Sequence, residues 1–289
     1  MLLDSPLPGP LKHWVWEHVL NPYTIDPTKP RTAKTTFGCS VSGTTRDFVF
    51  QHIWTFGVWE PNLTRYMIEK LRPGDVYVDV GGNIGYFALL GATCVGTAGR
   101  VVTIEPFPPV MATLRSNLAL NGVAGVRTVA AAAGARAATM PFYVERPADP
   151  GGGSLVPDPL VRQTKVEVPV DTLAVLLDEY EIARTRLIKI DVEGGEVDAV
   201  AGMTSMLDRL PQDAQIIVEV MPANFQPIEA CLAPFGFIPY LFLNPFTATD
   251  SDVDERARPL RSRDGRVPEP KPRGAIANVV FARVDAAAL

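Results

Sequence analysis

The rhythm of apolar and polar positions changes at about residue 75. Upstream, residues 22–46 are rich in Thr, Pro and Gly and read as loop or short strands. Residues 48–54 read as a strand. Residues 60–71 read as a helix that stops at Pro73-Gly74. From Val76 onward, short apolar runs alternate with longer stretches of helical spacing. Strands are expected at 76–80, 100–104, 126–130, 140–145, 164–170, 187–190, 215–220, 237–242 and 277–281. Helices are expected at 84–98, 108–120 (stopped by Asn121-Gly122), 196–210 (broken at Gly202) and 225–234. Asp171 should cap a helix running to Tyr180, with Asp178 and Glu179 on its solvent side. The stretch ADPGGGSLVPDP carries too much Gly and Pro to be regular.

Strands alternating with helices imply an α/β fold, a mostly parallel sheet covered on both faces. Ligands of such sheets sit beyond the carboxyl ends of the strands. Each residue just after a strand therefore has to be read for chemistry.

The first strand runs into "VYVDVGGNIGYF". Glycine lets a backbone approach a ligand closely. A dinucleotide loop needs G-x-G-x-x-G, and from either Gly81 or Gly82 the third position is not glycine. What stands here is D-x-G-x-N-x-G, headed by Asp79. A carboxylate at the mouth repels a diphosphate and welcomes an ammonium, which fits S-adenosylmethionine. The second strand ends at Glu105, placed to accept hydrogen bonds from two ribose hydroxyls. The fourth ends in "LIKIDVEGGE", putting Asp191 over the pocket, with Glu193 and Glu196 at the start of the next helix, where the dipole suits acids. The fifth ends at Glu219. Asp191 and Glu219 together could hold a hard cation such as Mg²⁺, which would lower the pKa of a bound hydroxyl; hydrogen bonding to substrate is the other reading.

Composition narrows the choice. The 289 residues are 47% hydrophobic and 20% charged, enough for one large domain or a domain with an appendage. A net charge of -5 disfavours nucleic acid as a partner. Three scattered cysteines (Cys39, Cys94, Cys231) make neither a disulfide framework nor a metal motif and suit the cytoplasm. No apolar run is long enough to span a membrane, and no signal peptide is expected. The histidines are His13, His18 and His52. His52 reads as a packed structural residue in the 48–54 strand, and Trp54, Phe56 and Trp59 as an aromatic staple or a platform for substrate.

In order and spacing, VYVDVGGNIGYFALL, VVTIEPFP, VPVDTL, LIKIDVEGGE and IIVEV resemble the FkbM family of S-adenosylmethionine-dependent methyltransferases. GVWEP and NVVF extend the likeness. The resemblance implies the class I, Rossmann-like fold with seven strands, and O-methylation of a sugar or secondary-metabolite hydroxyl. It implies that Asp79, Gly81, Asn83 and Gly85 line the methionine end of the cofactor. Glu105 with Pro106 would hold the ribose, Glu60 would close the pocket, and Asp191, with Glu219 and Glu193, would face the reacting centre. Gly82 stands where the family often has Ala, a change expected to be neutral. Met221-Pro222 stands where a histidine is often found after the fifth-strand acid, which takes away the obvious base.

Residues 1–70 are thus expected to form a cap on a cofactor-binding domain at 71–289. That domain would carry an insertion at about 139–170 and a mobile loop at about 250–273, the latter a solvated surface loop or a lid. The partner is a small-molecule acceptor, and a homo-oligomer is allowed. Two other readings stay open: an NAD-dependent oxidoreductase, and a non-catalytic cofactor-binding partner subunit.

Overall fold

The computed structural model describes residue 26 and residues 28–146, 149–157, 160, 163–242, 258–259 and 277–283. Its elements begin with the strands β1 (Arg31–Lys34) and β2 (Ser40–Gly43) and the helices α1 (Phe48–Phe56) and α2 (Pro61–Lys70). Then come β3 (Val76–Val80), α3 (Tyr86–Val95), β4 (Arg100–Ile104), α4 (Pro108–Leu120) and β5 (Val126–Val129). An insertion follows: β6 (Ala132–Ala133), β7 (Ala138–Arg146), β8 (Asp149–Ser154) and β9 (Thr164–Asp171). The chain continues through α5 (Leu173–Leu176), α6 (Glu179–Arg184), β10 (Thr185–Ile190), α7 (Glu196–Ala201), β11 (Gln215–Val220) and α8 (Phe225–Leu232). It ends with β12 (Ile238–Phe242), β13 (Arg258–Pro259) and β14 (Ala277–Ala282).

All five residues of β3, VYVDV, are buried. Such a strand belongs in the middle of a parallel sheet, with both faces covered. Its alternation decides which side each residue serves. Val76, Val78 and Val80 pack with Ile188, Ile190, Ile216 and Val218 on one face. Tyr77 joins Leu187, Ile217 and Val280 on the other, under α1, α2 and α3. The main sheet runs β13-β12-β14-β11-β10-β3-β4-β5. It has seven principal strands, with the two-residue β13 paired to the edge strand β12. β14 runs antiparallel between β11 and β12, whereas β5, β4, β3, β10 and β11 are parallel neighbours.

The order reverses between β3 and β10. Val80 pairs with Ile190 on one side and Ile104 on the other. The next residues on the three strands, Gly81, Asp191 and Glu105, therefore emerge at one level. This is the crevice in which ligands of such sheets are held.

Several expected elements come out differently. Residues 48–56 form helix α1, not a strand: Asp47 accepts from the Phe50 N–H at 2.8 Å, and Gly57 closes the far end at φ 74°. Phe50, Ile53 and Phe56 then share its buried face. The glycine-rich stretch is partly regular, since β8 pairs antiparallel with β7. Gly153 makes this possible, because a Cβ there would lie 2.2 Å from the Phe142 ring. The single helix expected after Asp171 is two short ones. Asp178 is exposed, as expected, and is in addition the N-cap of α6, in a reciprocal box with Glu181. Helix α3 is shorter than expected, ending at Gly96. Most of the charged stretch at 250–273 lies outside the described residues, as do His13 and His18.

β2 is stitched to α4. Asn117 Oδ1 accepts from Ser42 N at 2.8 Å, and its Nδ2 donates to Ile84 O at 2.8 Å. These bonds tie β2 and the β3 loop to the same helix. Among the described residues, no helix is long and apolar enough to cross a membrane.

Candidate active site

A cavity of about 370 Å³ opens at the switch point. Its walls come from the β3 loop, the ends of β4, β10 and β11, the insertion (Phe142, Gly153, Leu155) and the N-terminal segment (Asp47, Phe48, Trp59, Glu60). Among the described residues, Glu60, Asn83 and Glu193 are the non-glycine residues with positive φ, at 42°, 47° and 55°. All three line this cavity. Left-handed backbone is unfavourable for ordinary residues and concentrates where a site dictates the geometry.

The loop after β3 uses up its own donors. Gly81 and Gly82 N–H both point back to Ile104 O, at 2.9 and 3.0 Å. Asn83 N–H donates to Glu105 Oε2 at 3.1 Å, and Ile84 N–H to Asn83 Oδ1 at 2.7 Å. Gly85 N–H donates to Gly82 O at 2.9 Å. A diphosphate loop needs such groups aimed outward. Here five successive N–H groups face the protein. Gly81 is required by proximity as well as by its φ of +89°: a Cβ would fall 1.8 Å from Asp191 O.

The acids have distinct surroundings. Glu105 is buried and accepts from Phe107 N–H at 2.9 Å as well as from Asn83. Burial raises its carboxyl to about 7, although both donors pull it down. Asp79, expected on the pocket wall, is set back beneath the loop at 1% exposure. It receives the Tyr77 hydroxyl at 3.1 Å and the Thr103 hydroxyl at 3.3 Å. Burial raises it to about 6 against the opposing charge of Lys189. Gly85 is set back as well, against Leu114. Gly81, Asn83, Pro106, Glu60, Asp191, Glu193 and Glu219 all line the cavity. Glu219 is pushed up to about 9, by burial first and then by the Asp191 carboxylate. Both influences favour its protonated form.

Lys189 is the residue the strand pattern did not single out. It is buried, its ammonium lies 2.7 Å from Asp191 Oδ2, and it sits 4.8 Å over the Phe87 ring. Burial disfavours its charge, but Asp191, Glu60 and Asp79 outweigh that and hold it firmly protonated. A lysine inside the apolar run LIKI was the available signal. Glu196 is no mere surface charge on the helix dipole. It is buried, and its Oε1 accepts from Gly194 N–H at 2.9 Å and Val192 N–H at 3.3 Å. That brace holds the turn on which Glu193 sits. His52 lies in α1 and packs edge-on against Phe48 and Trp59, with centroids 4.5 and 5.3 Å away. Of the aromatic trio, Trp59 reaches the cavity; Trp54 lies under the Arg31 guanidinium.

Of the two open readings of Asp191 and Glu219, a bound Mg²⁺ is not supported. Among the described residues, no group of three or more His, Cys, Asp or Glu is arranged to hold a metal. Asp191 already has the Lys189 ammonium as its counter-charge, and Glu219 favours its protonated form. The donor set does suit a cationic organic ligand. It offers carboxylates, an apolar wall of Val110, Phe142 and Leu155, and no outward nest of N–H groups in the β3 loop.

Five parallel strands with a reversal between β3 and β10, and one antiparallel strand next to the far edge, define the class I methyltransferase fold. The family model described as "Methyltransferase FkbM domain" matches residues 79–243, and the chain belongs to that family. The methyltransferase sdnD of Sordaria araneosa is 28% identical over 229 residues, 68% of this chain and 84% of its own. The 31-O-demethyl-FK506 methyltransferase FkbM of Streptomyces tacrolimicus is 31% identical over 199 residues, 60% of this chain and 74% of its own. The hexuronic acid methyltransferase AglP of Haloferax volcanii is 24% identical over 176 residues, 58% of this chain and 64% of its own.

Proposed function

We propose that this methyltransferase uses S-adenosylmethionine to methylate a hydroxyl of a sugar or secondary-metabolite scaffold. The observation that carries the reading is the β3 loop. Its donors are spent on protein acceptors, among them Ile104 O and Glu105, and acidic side chains line the cavity around it, so a sulfonium and an ammonium suit it where a diphosphate does not. The same observation weighs against the NAD-dependent alternative. Two relatives named for 31-O-demethyl-FK506 and for hexuronic acid support the choice of acceptors.

Bound in this crevice, the cofactor would supply a methyl group on a good leaving group. The chain's own work is then mainly orientation. Glu105, fixed by two backbone donors, would take the ribose hydroxyls beside Pro106. Glu60, held at positive φ at the head of α2, would close the amino-acid end. Asp191 would receive the acceptor's hydroxyl, and Glu219, bearing its proton, would donate a hydrogen bond to the acceptor. Glu193, braced through Glu196, would border the acceptor side. Residues 28–70 act in this reading as a cap, and the insertion β6–β9 as a cover over the ribose and base.

The test is incubation with methyl-labelled cofactor and a panel of glycosides and polyketide alcohols, read by mass spectrometry. Label in a hydroxyl-bearing product supports the proposal. Binding of the cofactor with no transfer to any acceptor supports the non-catalytic partner reading instead.

A further inference from the structure

Among the described residues lining the cavity, six bear carboxyl groups: Asp47, Glu60, Glu105, Asp191, Glu193 and Glu219. Lys189 is the one that bears a cation. The proposed cofactor is not simply cationic. Its amino-acid end is a zwitterion, and the α-carboxylate has to enter a cavity where acids outnumber cations. A carboxylate taken from water into such a place needs a cation and a hydrogen-bond donor there. An ammonium has three N–H groups, and Asp191 takes one of them.

Position agrees with charge. Lys189 stands opposite Asp79 in the β10–β3 register, below the point where Gly81 meets Asp191. Glu105, the ribose candidate, ends β4, two strands away. Two strand spacings are about 10 Å, a separation suited to the reach from a ribose diol to an extended amino-acid chain. Glu60 also lies within the electrostatic reach of Lys189. An acid and an ammonium lining one cavity are the complement of an α-amino acid.

We propose that Lys189 is the docking point for the α-carboxylate of the cofactor, with Glu60 beside it for the α-ammonium. This rests on the S-adenosylmethionine reading above. It gives Lys189 a binding role beyond that of counter-ion to Asp191 and Asp79.

The experiment is calorimetry with S-adenosylhomocysteine and with its decarboxylated analogue, on the full chain and on Lys189→Met and Lys189→Arg. The native chain should prefer the carboxylate-bearing ligand. Lys189→Met should weaken S-adenosylhomocysteine roughly tenfold to a hundredfold, as for loss of a charged hydrogen bond, and leave the analogue nearly unchanged. Lys189→Arg should restore part of the preference. Equal losses for both ligands in folded Lys189→Met would mean a purely structural lysine and overturn the inference. If that variant fails to fold, the native chain still decides: analogue binding as tight as that of S-adenosylhomocysteine overturns it. A native chain that binds neither ligand overturns the cofactor reading, and the inference with it.

Discussion

Asn83 N–H donates to Glu105 Oε2 at 3.1 Å, so the loop after β3 and the end of β4 are joined by a single carboxylate. Glu105 Oε1 is held in turn by Phe107 N–H at 2.9 Å. The acid is thus fixed before any ligand arrives, which lowers the ordering cost of binding. Glu105→Gln replaces one acceptor oxygen with a donor that faces an N–H. It should weaken S-adenosylhomocysteine roughly tenfold or more, the scale of a charged hydrogen bond lost. Calorimetry on a variant with native circular dichroism checks this.

The two adjacent glycines should not tolerate alanine equally. At Gly81 the new Cβ would fall 1.8 Å from a backbone oxygen, Asp191 O, at φ +89°. Gly81→Ala should cost about 3 kcal/mol or more and disrupt the crevice. At Gly82 the obstacle is a side chain, Thr103 Oγ1 at 2.1 Å, with Leu114 at 2.9 Å. Alanine is therefore not neutral here, contrary to the expectation from the sequence. Gly82→Ala should cost about 1–3 kcal/mol by overpacking and turn the Thr103 hydroxyl away from Asp79. Adding Thr103→Ala should recover part of that loss. Urea denaturation of the three variants measures the order.

Stability should fall as pH rises through neutrality. The folded-state carboxyls of Asp79, Glu105 and Glu219 are raised to about 6, 7 and 9. Between their ordinary values, 3.8 for Asp and 4.5 for Glu, and these raised ones, the folded chain binds more protons than the unfolded chain. The slope of unfolding free energy against pH is then negative. The ligand-free protein should melt at a higher temperature at pH 6 than at pH 8.5. Glu219→Gln should flatten the alkaline part of that curve. A melting temperature that rises over this interval would show that the buried acids are ionised at little cost.

In the proposed reading Glu105 serves the cofactor's ribose and Asp191 the acceptor, so their variants should separate binding from turnover. Asp191→Asn should keep S-adenosylhomocysteine affinity within about threefold and reduce transfer to an acceptor by roughly 10²–10⁴, the range for a lost proton acceptor. Parallel calorimetry and labelled methyl transfer make the comparison. Equal loss in both would place Asp191 in the cofactor's own contacts.

Much of the fold was legible because β3, β4, β10 and β11 are short apolar runs bounded by turn residues. Strand ends then pointed to Gly81, Glu105, Asp191 and Glu219 without any coordinates. The sequence misled where one pattern admits two structures. FVFQHIWTF is rich in aromatic and β-branched residues and looks like a strand, yet Asp47 and Gly57 cap it as a helix. The glycines of β8 look irregular because the need for them comes from the neighbouring strand, where the Phe142 ring occupies the space of a Gly153 Cβ. Within the site, the level of each strand end was readable, but depth was not. Asp79 lies beneath the loop and Lys189 lines the cavity, because strand alternation places both on one face without saying how far a side chain reaches. Asp191 has an ammonium at 2.7 Å, a partner that neither of its two open readings, metal or substrate, included.

The most direct measurement of the central claim is calorimetric titration of one preparation with S-adenosylhomocysteine and with NAD, with a crystal soaked in whichever binds. The inward-facing donors and the carboxylate-lined crevice predict one-to-one binding of S-adenosylhomocysteine between the β3 and β10 ends, its ribose on Glu105, and no heat with NAD. Binding of NAD with its diphosphate over Gly81–Gly85, or a crevice that takes neither molecule, would contradict the account.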